Sequence, residues 1–229
     1  TAVVTVGALS GEVAGETLGQ TTAVGTYNSK DVLAANTVTA VYTLVNGANG
    51  ELASNYSLAN DSLASTITAK ALAVTAPSIA DKVYDGQVTA GAVTVGTLSG
   101  FVGTETVTAT GAAANYSSAN VGSYSSAVSY TLANGLNGGL AGNYSLAAGT
   151  ATGTITAKAL TMTGSSVAAS KVYDGNRTAV VTVGALSGEV TGETLGTTTV
   201  VGTYNSKDVL AANTVTAVYT LVNGANGEL

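Results

Sequence analysis

The feature that most constrains this chain is an internal repeat. Residues 1–52 and 178–229 align at an offset of 177 and differ only at Ala14/Thr191, Gln20/Thr197 and Ala23/Val200. A more diverged copy lies between them. Lys-Val-Tyr-Asp-Gly occurs at Lys82–Gly86 and Lys171–Gly175, Ile-Thr-Ala-Lys-Ala-Leu at Ile67–Leu72 and Ile155–Leu160, and Asn-Tyr-Ser-Leu at Asn55–Leu58 and Asn143–Leu146. The offsets are 89, 88 and 88, so the unit is about 88 residues long. Such a chain folds as a linear array of similar units. One copy is complete, residues 73–160; residues 1–72 lack an opening segment and residues 161–229 a closing one. The start, Thr1-Ala2-Val3-Val4, has no Met and no basic leader, and reads as a piece cut from a longer chain.

Within a unit the periodicity is that of strands. Thr37–Leu44 places Val38, Ala40, Tyr42 and Leu44 on one face and mostly Thr on the other, and Ser126–Leu132 is its counterpart in the middle copy. Further β-branched runs are Thr1–Leu9, Thr21–Tyr27, Val93–Leu98, Glu105–Thr110 and Thr152–Ala157. Leu-Ser-Gly at 9–11, 98–100 and 186–188, Asn46–Gly50 and Asn134-Gly135 supply turns. Ser29–Ala35 is the one stretch that suits a helical turn. The expected fold is all-β: tandem immunoglobulin-like β-sandwich repeats stacked end to end, with β-grasp-like repeats as the alternative.

The junctions between units are not flexible linkers, which would be rich in Gly, Ser or Pro. Thr154–Met162 reads as a nearly continuous extended run in which the apolar phase changes: Ile155 and Ala157 are odd, Leu160 and Met162 even. Ile67 and Ala69, followed by Leu72 and Val74, behave the same way. A one-residue slip turns side chains to the opposite face. The last strand of one unit is therefore expected to lead directly into the first strand of the next, with Ile67, Lys70, Leu72, Ile155, Lys158 and Leu160 at the joins.

Composition removes several classes of function. With no Cys there are no disulfides, thiolate metal sites or cysteine nucleophiles, and with no His the commonest general base and metal ligand are missing. A net charge of −6 from 7 basic and 13 acidic residues offers no grip on phosphate backbones. Only 9% of residues are charged, whereas 45% are apolar, which argues for a packed core rather than disorder. Thr, Ser, Gly and Asn interrupt every apolar run before it reaches transmembrane length. No enzyme is expected, and no cofactor.

Lys-Val-Tyr-Asp-Gly, followed by Asn120-Val121-Gly122, Ala141–Leu146 and Ile-Thr-Ala-Lys-Ala-Leu, resembles the YDG repeat domains, relatives of the MBG repeats of large secreted bacterial adhesins, including filamentous-haemagglutinin-like proteins. The resemblance covers the whole chain and implies an extracellular, tandemly repeated β-sandwich module of a surface protein, with no catalytic residues to carry over. The outer copies depart from it, with Ser29–Leu33 and Ser206–Leu210 in place of Asn-Val-Gly, and Ala-Ser-Asn-Tyr at Ala53–Tyr56 in place of Ala-Gly-Asn-Tyr.

The motif residues read more readily as structure than as a ligand site. In Lys82, Tyr84, Asp85 and Gly86, and in Lys171, Tyr173, Asp174 and Gly175, Asp-Gly suits a tight turn, Tyr a core anchor and Lys a partly exposed stem. Tyr27, Tyr42 and Tyr56 recur as Tyr116, Tyr130 and Tyr144 at fixed places in the unit, which favours core or corner roles over a sugar platform. Tyr124 and Phe101 lack such counterparts and are the better candidates for surface contacts. Scattered acids without an Asp-x-Asp run argue against calcium. Lys70/Lys158 with Asn55/Asn143 are poorly placed for an isopeptide bond, and the period is too long for ice-binding ranks of Thr.

The expected role is a stalk or fibre module of a bacterial adhesin or surface filament, extracellular or at the cell surface. Its partners would be neighbouring repeats of the same chain, identical chains in a fibre, and glycans or matrix. The competing readings are a carbohydrate- or matrix-binding module acting through loops, and a self-assembling filament subunit.

Overall fold

The alternation along Thr37–Leu44 is realised almost residue for residue. In the computed structural model, which describes residues 1–196 and 198–224, Val38 and Ala40 are 2% and 0% exposed while the alternate residues Thr39 and Val41 face solvent. Among the described residues the chain is all-β, and its helical content is limited to two three-residue 3-10 turns, Ala53–Asn55 and Ala141–Asn143. No helix among them is long and apolar enough to cross a membrane.

The first repeat contributes β1 (Gly19–Tyr27), β2 (Thr37–Val45) and β3 (Asp61–Ala64). β4 (Lys70–Val74) runs across the join into the second repeat, which continues through β5 (Ser78–Ile79), β6 (Lys82–Val83), β7 (Val93–Thr94), β8 (Leu98–Ser99), β9 (Val107–Ala113), β10 (Gly122–Asn134), β11 (Tyr144–Leu146) and β12 (Gly149–Thr156). The third holds β13 (Thr161–Thr163), β14 (Ser166–Val167), β15 (Thr178–Ala179), β16 (Val181–Thr182), β17 (Ala185–Ser187), β18 (Thr199–Tyr204) and β19 (Val215–Thr220). They form small sheets ordered β1-β2-β3, β6-β12-β10-β9, β11-β4-β8, β5-β7, β13-β17, β14-β16 and β15-β18-β19. Most pairs are antiparallel, but β11 with β4 and β12 with β6 are parallel.

Several sequence expectations need correction. Thr1–Leu9 is not a strand; its only ladder contact is a bridge between Ala2 and Gly25. The same sequence at 178–186 does form β15, β16 and part of β17, against β18, β14 and β13. Val93–Leu98 is split into β7 and β8 because its two ends serve different sheets, β7 pairing with β5 and β8 with β4. Ser29–Ala35 makes one turn, with the N–H groups of Ala34 and Ala35 donating to the Asp31 carbonyl.

The expected unbroken ribbon at the joins is also interrupted. Residues 65–69 separate β3 from β4, and residues 157–160 separate β12 from β13. The phase change takes place there. Ile155 is fully buried before the break, whereas Leu160 and Met162 turn inward after it. Turning the strand over requires the backbone to leave one ladder before it enters the next.

The chain divides into two compact units, neither of which coincides with a repeat. One comprises Thr1–Ser78, Ala92–Ala113 and Ala127–Ala151; the other comprises Ile79–Gly91, Ala114–Ser126 and Thr152–Leu229, of which 197 and 225–229 lie outside the described residues. The first unit contains the join between the first and second repeats, and the second contains the next join. In the first unit, Leu72, Val107 and Tyr144 form a buried cluster on which Leu98, Phe101, Leu132 and Leu146 pack. Phe101 meets Tyr144 edge to face at 5.9 Å. In the second, Ile79, Tyr116, Ile155 and Ala179 are buried, and Tyr124 lies on Tyr116 with ring centroids 5.5 Å apart.

Phe101 and Tyr124 are thus packing residues rather than surface contacts. At the place of Phe101 the outer repeats carry Glu12 and Glu189, whose carboxylates accept the Leu18 and Leu195 N–H groups at 2.6 and 2.8 Å. The middle repeat replaces that polar tie with an aromatic contact.

Candidate functional site

The Lys-Val-Tyr-Asp-Gly motif folds into a turn closed by its own lysine. Lys82 Nζ lies 2.7 Å from Asp85 and donates to the Gln87 and Thr89 carbonyls at 2.8 and 3.0 Å. The Gln87 N–H donates to Asp85 Oδ1 at 2.9 Å, and Gly86 adopts φ +75°, a conformation that favours glycine. The second copy repeats the design. Lys171 Nζ bonds Asp174 at 2.8 Å and the Asn176 and Thr178 carbonyls at 3.1 and 3.0 Å, with Gly175 at φ +74°. The lysine beside each aspartate holds the Asp85 and Asp174 carboxyls below the usual carboxylate range, helped by the backbone N–H two residues on.

The tyrosine of the motif behaves differently from the rest of it. Tyr173 is 58% exposed and Tyr84 is half-buried, so neither is the core anchor the sequence suggests. The Tyr84 hydroxyl donates to the Glu193 carboxylate, 109 residues away in the third repeat. It therefore ties one repeat to the next.

Glu193 has counterparts at Glu16 and Glu105, and each of these takes a tyrosine from within its own repeat. Tyr144 donates to Glu105 Oε2 at 2.7 Å while accepting the Val102 N–H at 3.1 Å. Tyr56 donates to Glu16 and accepts the Val13 N–H at 3.1 Å. Donation to a carboxylate stabilises the neutral phenol, so both hydroxyls are pushed above the ordinary tyrosine range.

Asn143 joins the first repeat to the second. Its Nδ2 donates to Asp31 Oδ1 at 2.8 Å, and its Oδ1 accepts the Val32 N–H at 2.8 Å. Lys30 lies 3.0 Å from Asp31 and 3.5 Å from Glu105. Asn143 first, then Lys30, lowers the Asp31 carboxyl, and Asp31 in turn raises the Lys30 ammonium. The Ser-Lys-Asp-Val-Leu loop of one repeat is thus held by the Ala-Gly-Asn-Tyr turn of the next.

The expected junction residues are distributed unevenly. Leu72 enters the core of the second repeat, and Tyr144 pairs with Lys70 across the parallel β11–β4 ladder. Lys70 is exposed, and its Nζ reaches the Phe101 carbonyl at 3.4 Å. Ile67 is half-buried outside any strand, and Ile155 is a core residue. Lys158 and Leu160 line a cleft of about 270 Å³ together with Tyr84, Asn120, Val121, Val190, Glu193, Leu195 and Leu221. The Lys82 turn adjoins this cleft, Gly86 facing Val190 and Glu193, and Lys171 of the other turn sits 5.6 Å over the Tyr204 ring.

Sequence reasoning missed Glu16, Glu105, Glu193 and Asp31. The three glutamates recur at one place in the unit, which was a usable signal. The pairing of Asp31 with Asn143 across 112 residues left none. Among the described residues no three acidic side chains converge. The junction chemistry is one of amides, phenols and carboxylates holding neighbouring repeats together.

Comparison with protein families matches the YDG domain twice, at residues 68–152 and 156–228. Comparison with curated proteins finds no match. Comparison with solved structures finds none either.

Proposed function

The chain belongs to the YDG domain family, and on that premise we propose that it is a structural repeat segment of a bacterial extracellular adhesin or surface filament. Its immunoglobulin-like β-sandwich units of about 88 residues, the complete one being residues 73–160, stack end to end as a semi-rigid stalk.

One observation carries the reading: the bidentate hold of Asn143 on the Asp31 carboxylate and the Val32 N–H. Two hydrogen bonds with fixed directions, one of them to a charged group, resist rotation of one repeat against the next in a way that a simple apolar contact does not. The Tyr84–Glu193 bond plays the corresponding role at the next join. Seven basic residues in 229 leave few sites for trypsin-like proteases, which suits service outside the cell.

The test is immunogold electron microscopy of intact cells with an antibody against the complete repeat. Gold on projections or released fibres is the expected result; label confined to the cell interior would overturn the proposal.

A further inference from the structure

Lys30, Asp31 and Asn143 stand in the arrangement that amide exchange requires. Asp31 Oδ1 accepts from two nitrogens, Asn143 Nδ2 at 2.8 Å and Lys30 Nζ at 3.0 Å, so an amine and a carboxamide are held on one carboxylate oxygen. Asn143 Oδ1 accepts the Val32 N–H at 2.8 Å, which places a backbone donor where negative charge develops when the amide is attacked. A second carboxylate, Glu105, lies 3.5 Å from Lys30 Nζ and is itself held by the Tyr144 hydroxyl. Nucleophile, proton carrier and oxyanion donor thus meet at one amide.

The junction lysine beside this turn takes no part. Lys70 pairs with Tyr144 in the ladder, but its Nζ reaches the Phe101 carbonyl. The middle repeat lacks the set, with Ala119 and Asn120 at the places of Lys30 and Asp31. The chemistry therefore belongs to joins that start from a Lys-Asp loop.

The geometry points to a covalent cross-link: Lys30 Nζ and Asn143 Cγ form an intramolecular isopeptide bond that ties the first repeat to the second. Nζ gives a proton to Asp31 and attacks Cγ, and the Val32 N–H holds the oxyanion. Collapse breaks the Cγ–Nδ2 bond. Two protons in all pass from Nζ to Nδ2 by way of Asp31, and the leaving group departs as ammonium. Nothing is oxidised or reduced, and no co-reactant is consumed. The product keeps one N–H for Asp31 and the carbonyl for Val32, so a noncovalent hold becomes permanent. Asp31 raises the Lys30 ammonium above its ordinary range, so the neutral amine is scarce near neutral pH and the bond forms faster as pH rises.

The test is mass spectrometry of the purified 229-residue protein during incubation at about pH 9. The expected product is lighter by one ammonia, about 17 Da. It resists trypsin after Lys30, so residues 1–70 and 83–158 are released as one linked fragment. Lys30→Arg keeps a cation beside Asp31 but cannot attack, and should give no link. Asp31→Asn should slow linkage about a hundredfold or more. An unchanged mass, linkage that persists in Lys30→Arg, or an undiminished rate in Asp31→Asn would each overturn the inference. So would loss of ammonia without the linked fragment, as an Asn-Gly succinimide at Asn46, Asn134 or Asn137 gives. The readout is a bond, and it stands whether or not the protein is displayed on a cell surface.

Discussion

Gly153 and Tyr116 offer a quantitative test of how the middle repeat is packed. A Cβ on Gly153 would lie 2.0 Å from the Tyr116 hydroxyl, 2.9 Å from Ile79 Cγ2 and 3.1 Å from Tyr116 Cζ. Heavy atoms in contact settle at about 3.5 Å, so the phenol oxygen must retreat by roughly 1.5 Å. Tyr116 is 3% exposed and backed by Tyr124, so it cannot retreat without disturbing the core. Overpacking of this kind costs about 1–3 kcal/mol, and Gly153→Ala should fall in the upper half of that range. Tyr116→Phe removes the obstructing atom. That hydroxyl is buried and has no hydrogen-bond partner among the described residues, so deleting it alone should be neutral or stabilising. The double variant should then recover at least about 1 kcal/mol of the Gly153→Ala loss. The first repeat shows the alternative solution. There Tyr27 bonds Ser65 at 3.1 Å, and Ser65 is the counterpart of Gly153. Urea unfolding followed by tyrosine fluorescence, unobscured because the chain has no Trp, gives all four stabilities. Strict additivity of the two substitutions would refute the packing argument.

Three further outcomes are expected. Ile155→Ala, at a fully buried position, should cost about 2–5 kcal/mol by calorimetry. The Asp85 and Asp174 carboxyls are lowered by their lysines, so their contribution to stability is complete above the ordinary carboxylate range and is lost as pH falls from that range through their lowered values. Thermal midpoints should therefore drop on acidification, and the drop should be shallower in the Lys82→Met/Lys171→Met variant. Asn143→Ala should raise the Asp31 carboxyl toward its ordinary value, because Asn143 is the main cause of its lowering; an NMR titration of Asp31 reads this directly.

Local patterns were legible in the sequence. The alternation at Thr37–Leu44 gave β2 and its buried face because strand geometry has a period of two. The Asp-Gly steps at Asp85 and Asp174 gave turns because glycine accepts positive φ and aspartate caps the following N–H groups. What depended on distant partners was not legible. Thr1–Leu9 has the composition of a strand, yet only Ala2 bridges, to Gly25. Tyr84 looks like a core anchor, yet its oxygen is claimed by Glu193 in the next repeat. Asp31 and Asn143 each stood out as parts of separate motifs, and only folding brings them within 2.8 Å. Phe101 seemed available for outside contacts because it had no counterpart, whereas it compensates within the repeat for the glutamate it replaces.

The central claim is that side chains at the joins lock neighbouring repeats together. The chain has no Cys, so cysteines introduced at the exposed Thr43 and Thr131 carry the only spin labels, one on each side of the first join. Double electron–electron resonance should give a single narrow distance distribution for this pair, and Asn143→Ala should broaden it. A broad distribution in the parent protein, or one indifferent to the loss of Asn143, would contradict the account.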